Sequence, residues 1–308
     1  MPTSRIIKLL LVLTAWLFAG LAAQAATVVV VLSDDSAAYQ EASEAIEREI
    51  GDGHKIVRVM ADRLGVEPAL SEARLVLGVG VKATEQIAGR VGITPVLAVL
   101  VPKDWYQKIG RALLVEGARS AGAVVLDQPY SRQLQLIKAA LPKVSRVGVV
   151  VSQSNAGQLA EVEQAARALR LSVSAVTIDS DSLLVESLER ILSDSDVLLA
   201  IPDPLVLNRN TVQSLFITSY RYRDPVVGYS KSLSRAGALV SLYSTPAQIG
   251  RQAGEITQRF LSGGKLPGMQ WPKYFSISLN THVARSLDID LISEQSLLRE
   301  LQEGGGND

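Results

Sequence analysis

The sequence predicts an α/β protein made of two similar lobes, each built on a mostly parallel β-sheet. Runs of β-branched residues alternate with amphipathic segments along the chain, which is typical of βαβ units. Polar residues follow directly after many of these runs. The strand pattern of the first half recurs in the second at an offset of about 120 to 130 residues, although residue identity between the halves is poor.

The N-terminal segment has the three parts of a signal peptide. Arg5 and Lys8 precede an apolar run from Leu9 to Leu21, and Ala23-Gln24-Ala25 is a small-x-small cleavage site. The run is shorter than the roughly 20 residues that span a bilayer, which favours a signal peptide over a membrane anchor. We therefore predict export, cleavage near Ala25 and no membrane insertion of the mature chain.

Composition argues against several classes of function. Positive and negative side chains balance at 31 each, so no basic surface for nucleic acid is expected. The chain has no cysteine, and apolar residues make up 47% of it, so the core must hold the fold without disulfides. His54 and His282 are the only histidines, and no His, Asp and Glu set has metal-ligand spacing. We predict no catalytic residues, no metal and no cofactor, so the residues do not favour an exported enzyme.

The elements of the first half follow from apolar runs and capping residues. Thr27–Ser33 is a continuous β-branched run, which predicts a strand buried on both faces, and the polar residues after it can cap a helix. The same reasoning predicts strands at Thr27–Ser33, Lys55–Ala61, Arg74–Gly80, Pro95–Val101 and Ala121–Asp127, and helices at Ala37–Ile50, Val81–Arg90 and from Pro102.

The second half repeats the alternation and adds a C-terminal segment. Predicted strands are Arg146–Ser152, Ser172–Asp179, Val197–Ile201, Pro225–Tyr229, Ala238–Tyr243 and Trp271–Leu279. Predicted helices are Tyr130–Leu141, Gln158–Leu169, Ser182–Leu192, one after Pro204, a short one after Ser230, Pro246–Ser262, Asn280–Leu287 and Ile292–Gln302. Gly304–Asp308 is predicted to be a disordered tail.

Three segments carry a family resemblance: LLAIPDPLVLN at Leu198–Asn208, the stretch Pro225–Glu255 and SLNTHVARSLDIDL at Ser278–Leu291. With the export signal and the two α/β lobes, they resemble periplasmic substrate-binding proteins of ABC transporters of the type I arrangement. The closer similarity is to the subfamily that includes tryptophan- and tyrosine-type binding proteins. Members often carry an Asp-Pro turn after the fourth strand of the first lobe, where this chain has Val101-Pro102-Lys103.

The resemblance implies two Rossmann-like lobes joined by a hinge of three chain crossings, with the ligand between the lobes. The crossings would fall near Asp127–Tyr130, Leu242–Thr245 and Phe275–Leu279. Lobe one would comprise residues 26–127 and 246–275, and lobe two residues 128–245 and 276–303. The implied partners are a small-molecule ligand and a membrane permease, and the implied location is the periplasm.

Candidate ligand contacts lie at strand ends that should face the cleft, and at the implied hinge. Helix N-termini there could attract an anion, Asp34 or Asp203 could pair with an ammonium group, and tyrosine rings could stack on an apolar ligand. Helix capping, turn formation and plain packing explain the same residues one at a time. The candidates are Ser33, Asp34, Gly80, Val81 and Lys82 in lobe one, Ser152, Ser154, Asn155, Asp203, Pro204, Tyr229 and Ser230 in lobe two, and Gln128, Tyr130 and Tyr243 at the hinge.

Two functions are compatible with this pattern. The first is capture of a small molecule, with an amino acid as one candidate, for delivery to an ABC permease. The alternative is a ligand-sensing periplasmic module for a separate membrane sensor kinase or cyclase. Closure of two lobes around the ligand, without covalent chemistry, is the predicted mechanism in both.

Overall fold

The computed structural model describes residues 25–115, 119–290 and 292–304. The predicted signal peptide, up to residue 24, lies outside the described residues, as does the chain after Gly304. Gly304 itself ends the last helix, so the tail prediction is wrong at that residue. The described residues form two six-stranded sheets, which confirms the predicted pair of α/β lobes.

The sheet of lobe one is entirely parallel. Its strands are β1 (Thr27–Leu32), β2 (Lys55–Met60), β3 (Ala73–Val79), β4 (Val96–Val101), β5 (Ala121–Val125) and β11 (Met269–Gln270), in the order β11-β5-β4-β3-β1-β2. Residues 28–32 of β1 are completely buried because helices cover both faces of the sheet. The helices are Ala37–Ile50, Ala61–Val66, Ala69–Glu72, Val81–Ala88, Pro246–Leu261 and the run Lys103–Trp105, Tyr106–Gly110 and Arg111–Leu114, whose middle turn is a π-helix.

The sheet of lobe two also has six strands: β6 (Arg146–Ser152), β7 (Ser172–Ile178), β8 (Val197–Leu199), β9 (Val226–Gly228), β10 (Val240–Tyr243) and β12 (Ser276–Leu279). Their order is β12-β10-β9-β8-β6-β7, and only β12 is antiparallel to its neighbour. Two apolar clusters cover the faces of the sheet. The helices are Tyr130–Ala140, Gln153–Asn155, Gly157–Ala168, Asp181–Leu183, Leu184–Leu192, Val212–Tyr222, Lys231–Ala236, Thr281–Leu287 and Glu294–Gly304.

The chain passes between the two sheets three times. It leaves β5 through residues 126–129, leaves β10 through residues 244–245, and runs from β11 to β12 through residues 271–275. The single strand predicted at Trp271–Leu279 is therefore wrong in its first half. Pro272 lacks a backbone donor for a ladder, and the segment bridges two sheets before β12 begins at Ser276.

Polar side chains tie the three crossings together. The Gln128 amide donates to the Ser244 hydroxyl (2.7 Å), which donates to the Tyr274 carbonyl (2.5 Å). Arg132 Nη1 donates to Gln128 Oε1 and to the Pro272 carbonyl, both at 2.8 Å. The Gln128–Ser244, Ser244–Tyr274 and Arg132–Pro272 bonds join segments far apart in sequence, so the side chains hold the hinge segments in one register.

Helix Pro246–Leu261 crosses helix Ala37–Ile50 at close range, and Gly250 lies at the contact. A Cβ atom on Gly250 would lie 2.3 Å from the Ala42 carbonyl oxygen, which belongs to the backbone and cannot rotate away. Gly250→Ala is therefore expected to lower the free energy of unfolding by about 1 to 3 kcal/mol. Urea denaturation measures it, with Gly89→Ala as the control, because a Cβ at Gly89 would meet no atom within 4 Å. Equal losses in the two variants would contradict the packing argument.

Asp224 precedes β9 at the end of the lobe-two sheet remote from the strand carboxyl ends. Burial raises its pKa from 3.8 to about 6, although Ser195 Oγ donates to the carboxylate at 3.2 Å. An acid with a raised folded-state pKa stabilises the fold below its unfolded pKa, and this contribution is lost as pH rises through the folded pKa. Asp224→Asn should therefore gain about 1 to 2 kcal/mol of stability over wild type at about pH 7, after allowance for solvent screening, and nothing at about pH 4. Urea denaturation at the two pH values tests this, and a gain independent of pH would contradict it.

Candidate ligand-binding cleft

A small cavity lies between the lobes, where strands of both parallel sheets end. Ligands of α/β folds bind at this edge. Its volume is about 30 Å³, room for a water molecule or two. It receives side chains from both lobes and from the first and third crossings. The lining residues are Lys103, Asp104, Leu126, Asp127, Gln128, Tyr130, Gln133, Gln158, Pro202, Tyr229 and Trp271.

The Lys103 side chain lines the cavity from lobe one, and the irregular backbone at the end of β4 places it there. Leu100 has a φ of 57°, and the β4–β5 pairing is irregular between Val99 and Val101. Such bulges turn the residues that follow. Only 5% of the Lys103 side chain is exposed, and its ammonium group lies 2.7 and 2.8 Å from the two carboxylate oxygens of Glu161 in lobe two. The unusual turn after β4 therefore makes a bridge between the lobes.

A second bridge runs beside the first. The Gln158 amide donates to Asp104 at 3.1 Å, and the Tyr130 hydroxyl donates to the Gln158 carbonyl oxygen. Burial raises the pKa of Tyr130, with neighbouring carboxylates adding to the effect, so the hydroxyl keeps its proton at neutral pH. Asp104 and Gln158 lie on opposite lobes, and the contact joins the first turns of two helices that follow strands.

Asp127 and Gln133 supply further polar groups to the cavity. The Asp127 carboxylate accepts the backbone N–H of Lys103 at 2.6 Å, and burial raises the pKa of this carboxyl despite that bond. Gln133 is 2% exposed and donates to the Gln128 carbonyl, whereas its amide oxygen has no partner among the described residues. The cavity thus offers a free acceptor to a bound donor.

Three of the candidates predicted from the sequence line this cavity: Gln128, Tyr130 and Tyr229. Asp203 and Ser152 do not line it, because hydrogen bonds within lobe two hold both residues. The Asp203 carboxylate accepts the backbone N–H groups of Ser152 (2.6 Å) and Leu205 (2.9 Å), and Asp203 is 2% exposed. Burial alone would raise the pKa of the Asp203 carboxyl. The hydrogen bonds that it accepts, including one from the Asn155 side chain, outweigh burial, so the pKa of Asp203 lies below its usual value. The Ser154 hydroxyl bonds to that of Ser152, and Pro204 is exposed.

The lobe-one candidates lie elsewhere. Ser33 is buried and joins the end of β1 to β3 and to the helix Val81–Ala88: its hydroxyl donates to the Val79 carbonyl (2.9 Å) and accepts from the Ala83 N–H (3.0 Å). Gly80 has a φ of 90°, which favours glycine, and Val81 begins a helix. Asp34 and Lys82 are exposed and border a separate open depression with Asp62 and Arg63.

The lobe-two candidate Ser230 and the hinge candidate Tyr243 do not line the cavity either. The Ser230 hydroxyl caps helix Lys231–Ala236 by accepting the Leu233 N–H at 3.2 Å. Burial raises the pKa of Tyr243, and the neighbouring charges that act on it are Glu294 and Arg235. In the sheet, Tyr243 pairs with Ser276 of β12.

Four residues that line the cavity or bridge the lobes are not among the candidates predicted from the sequence: Asp104, Gln158, Glu161 and Trp271. Asp104, Gln158 and Glu161 lie in the first turn or two of helices that follow strands, a position from which side chains reach the cleft. The signal was therefore present for these three. Nothing in the sequence around Trp271 fixes the side of the crossing that its ring takes.

The described residues contain no helix with the length and apolar character that a membrane crossing demands. Within the same residues, no three His, Cys, Asp or Glu side chains are grouped as a metal site would require.

Two α/β lobes, three crossings and a cavity at the strand carboxyl ends define a two-lobed ligand-binding protein of the type I periplasmic fold. The family model described as ABC transporter substrate binding protein matches residues 111–302, more than half of the chain. The chain belongs to this family. The family description names a transporter and lends no support to the membrane-sensor alternative. No curated protein matches the chain.

Solved structures show the same fold at low identity. The ligand-free, open structure of a substrate binding protein with adhesive properties from Clostridium difficile has a TM-score of 0.71 at 15% identity, over 88% of this chain and 97% of that one. An ABC domain from Streptococcus pneumonia in complex with L-Trp has a TM-score of 0.56 at 18% identity, over 90% and 98%. A periplasmic ribose ABC transporter structure from Conexibacter woesei has 0.52 at 13%, over 87% and 96%.

Proposed function

We propose that this chain is a periplasmic solute-binding protein that captures a small molecule between its lobes and delivers it to an ABC permease. The signal peptide directs export and is cleaved near Ala25. Lobe one comprises residues 26–127 and 246–275, lobe two 128–245 and 276–303, and the hinge segments connect them. Closure of the lobes encloses the ligand, and no covalent step takes place.

The cavity between the lobes is the observation that carries this proposal. Both lobes and two crossings contribute polar and aromatic side chains to one small space. A ligand that touches both lobes favours the closed arrangement by its contacts with each of them. At 30 Å³ the cavity is too small for a metabolite, so entry requires the two bridges between the lobes to open.

An amino acid is the ligand class that we favour. The rings of Tyr130, Tyr229 and Trp271 border the cavity and provide apolar surface for a side chain. The free amide oxygen of Gln133 and the Asp127 carboxylate can accept bonds from an ammonium group. The complex of a similar fold with L-Trp adds support.

Native mass spectrometry of the freshly purified protein tests the proposal. The expected result is one bound small molecule per chain, lost after unfolding and refolding and regained from a mixture of the common amino acids. The chain has no cysteine, so refolding cannot be blocked by mispaired disulfides. A refolded protein that neither carries nor regains any small molecule, and whose melting temperature no amino acid raises, would contradict the proposal.

A further inference from the structure

The Lys103–Glu161 ion pair joins the two lobes, and its two ends differ in environment. Both carboxylate oxygens of Glu161 lie within 2.8 Å of the ammonium nitrogen. The Lys103 side chain is 5% exposed, and the Glu161 side chain is 48% exposed. Glu161 can therefore turn out into water, whereas Lys103 cannot leave without moving the walls of the cavity. Departure of Glu161 leaves a buried charge that a ligand anion can neutralise.

Several groups hold Lys103 in place apart from Glu161. Its ammonium nitrogen lies 5.7 Å from the ring centres of both Tyr130 and Trp271, and 3.7 Å from an Asp104 carboxylate oxygen. Its backbone N–H is fixed by Asp127. These contacts keep a cation facing the cavity after Glu161 has moved away. With only the longer Asp104 contact left, the buried ammonium group still attracts an anion.

We propose that Lys103 is the anion receptor of the cleft and that Glu161 occupies the place of a ligand carboxylate. The inference rests on the proposed function and specifies its chemistry: the ligand carries a carboxylate that displaces Glu161 from Lys103. The rest of the ligand lies against the rings of Tyr130, Tyr229 and Trp271, which border the same space. Glu161 is thus a built-in competitor that sets the affinity.

The two ends of the pair give effects of opposite sign. Glu161→Gln removes the competing charge, so carboxylate ligands should bind about threefold to tenfold more tightly. Lys103→Met removes the receptor and leaves Glu161 to repel an anion, so binding should weaken about thirtyfold or more. If Glu161 instead held the ligand's ammonium group, or were only structural, its substitution would weaken binding or leave it unchanged.

Matched controls separate these effects from general changes of charge. Glu163→Gln makes the same change on the same helix at an exposed residue, and Lys108→Met removes an exposed lysine that also pairs with Asp104. Both controls should bind as wild type does. A melting temperature close to that of wild type shows that Lys103→Met still folds. Glu161→Gln changes a half-exposed side chain, so its binding constant tests the proposal independently of Lys103→Met.

The experiment is calorimetric titration of the refolded protein with three sets of probes: the common amino acids, their carboxamides, and the same acids without the amino group. We expect binding by members of both acid sets, none by the carboxamides, tighter binding to Glu161→Gln and loss of binding to Lys103→Met. Carboxamides that bind as well as acids, or Glu161→Gln that binds more weakly than wild type, overturn this inference alone. A protein that binds no probe of any set overturns this inference and the amino-acid ligand class. The proposed function is overturned as well only if native mass spectrometry also finds no bound small molecule.

Discussion

Arg132→Met is expected to lower the free energy of unfolding by about 3 kcal/mol or more, the largest loss of stability that we predict. Arg132 is 8% exposed, and its Nη1 atom bonds to Gln128 and Pro272, which belong to different crossings. Its guanidinium carbon lies 4.5 Å from the centre of the Phe275 ring. The substitution leaves two buried acceptors unpaired, and each costs about 1 to 3 kcal/mol.

Urea denaturation compares this variant with Lys138→Met, which lies on the same helix and donates to the Pro142 and Val144 carbonyls just after it. The control should lose less than about 1 kcal/mol. Equal losses in the two variants would show that the bonds between the crossings do not stabilise the fold. Because Gln128 also borders the cavity, Arg132→Met should weaken ligand binding as well.

Trp271→Ala is expected to weaken ligand binding about thirtyfold, the largest effect on affinity that we predict from an uncharged residue. The indole borders the cavity from the third crossing and faces the Lys103 ammonium group at 5.7 Å. Its loss removes apolar contact with the ligand and one of the two rings beside Lys103. Large aromatic side chains at the centre of a site often contribute about 2 kcal/mol or more.

Trp271→Phe is the matched variant, because it keeps a ring at the same backbone position. Calorimetric titration with the ligand found by mass spectrometry should give a loss of about threefold for Trp271→Phe, well below that of Trp271→Ala. An alanine variant that binds as wild type does would place the ligand away from Trp271. It would contradict the assignment of this cavity as the binding site.

Much of the fold could be predicted from the sequence because its strands are buried on both faces. Such strands appear as continuous β-branched runs, as in Thr27–Leu32 and Arg146–Ser152. The edge strand Met269–Gln270 has two residues and forms only because β5 offers a free edge beside it. No local pattern marks a strand of that kind, so its pairing depends on tertiary structure.

The site was less predictable, since hydrogen bonds within each lobe decide which strand-end residues remain free. Ser33 and Asp203 follow strands as expected, yet their side chains bond to the backbone of their own lobes. The sequence shows Lys103 as a departure from the family pattern. The contact between its ammonium group and Glu161 depends on the bulge at Leu100, which the sequence does not show. A left-handed leucine in a strand has no sequence signature.

A crystal structure of the protein with its bound ligand tests the central claim most directly. The account predicts that the ligand lies between the lobes, in contact with Tyr130, Tyr229 and Trp271, with a carboxylate on the Lys103 ammonium group and Glu161 turned away. A ligand in the open depression beside Asp34 and Lys82, or a Lys103–Glu161 pair that stays intact around a bound ligand, would contradict it.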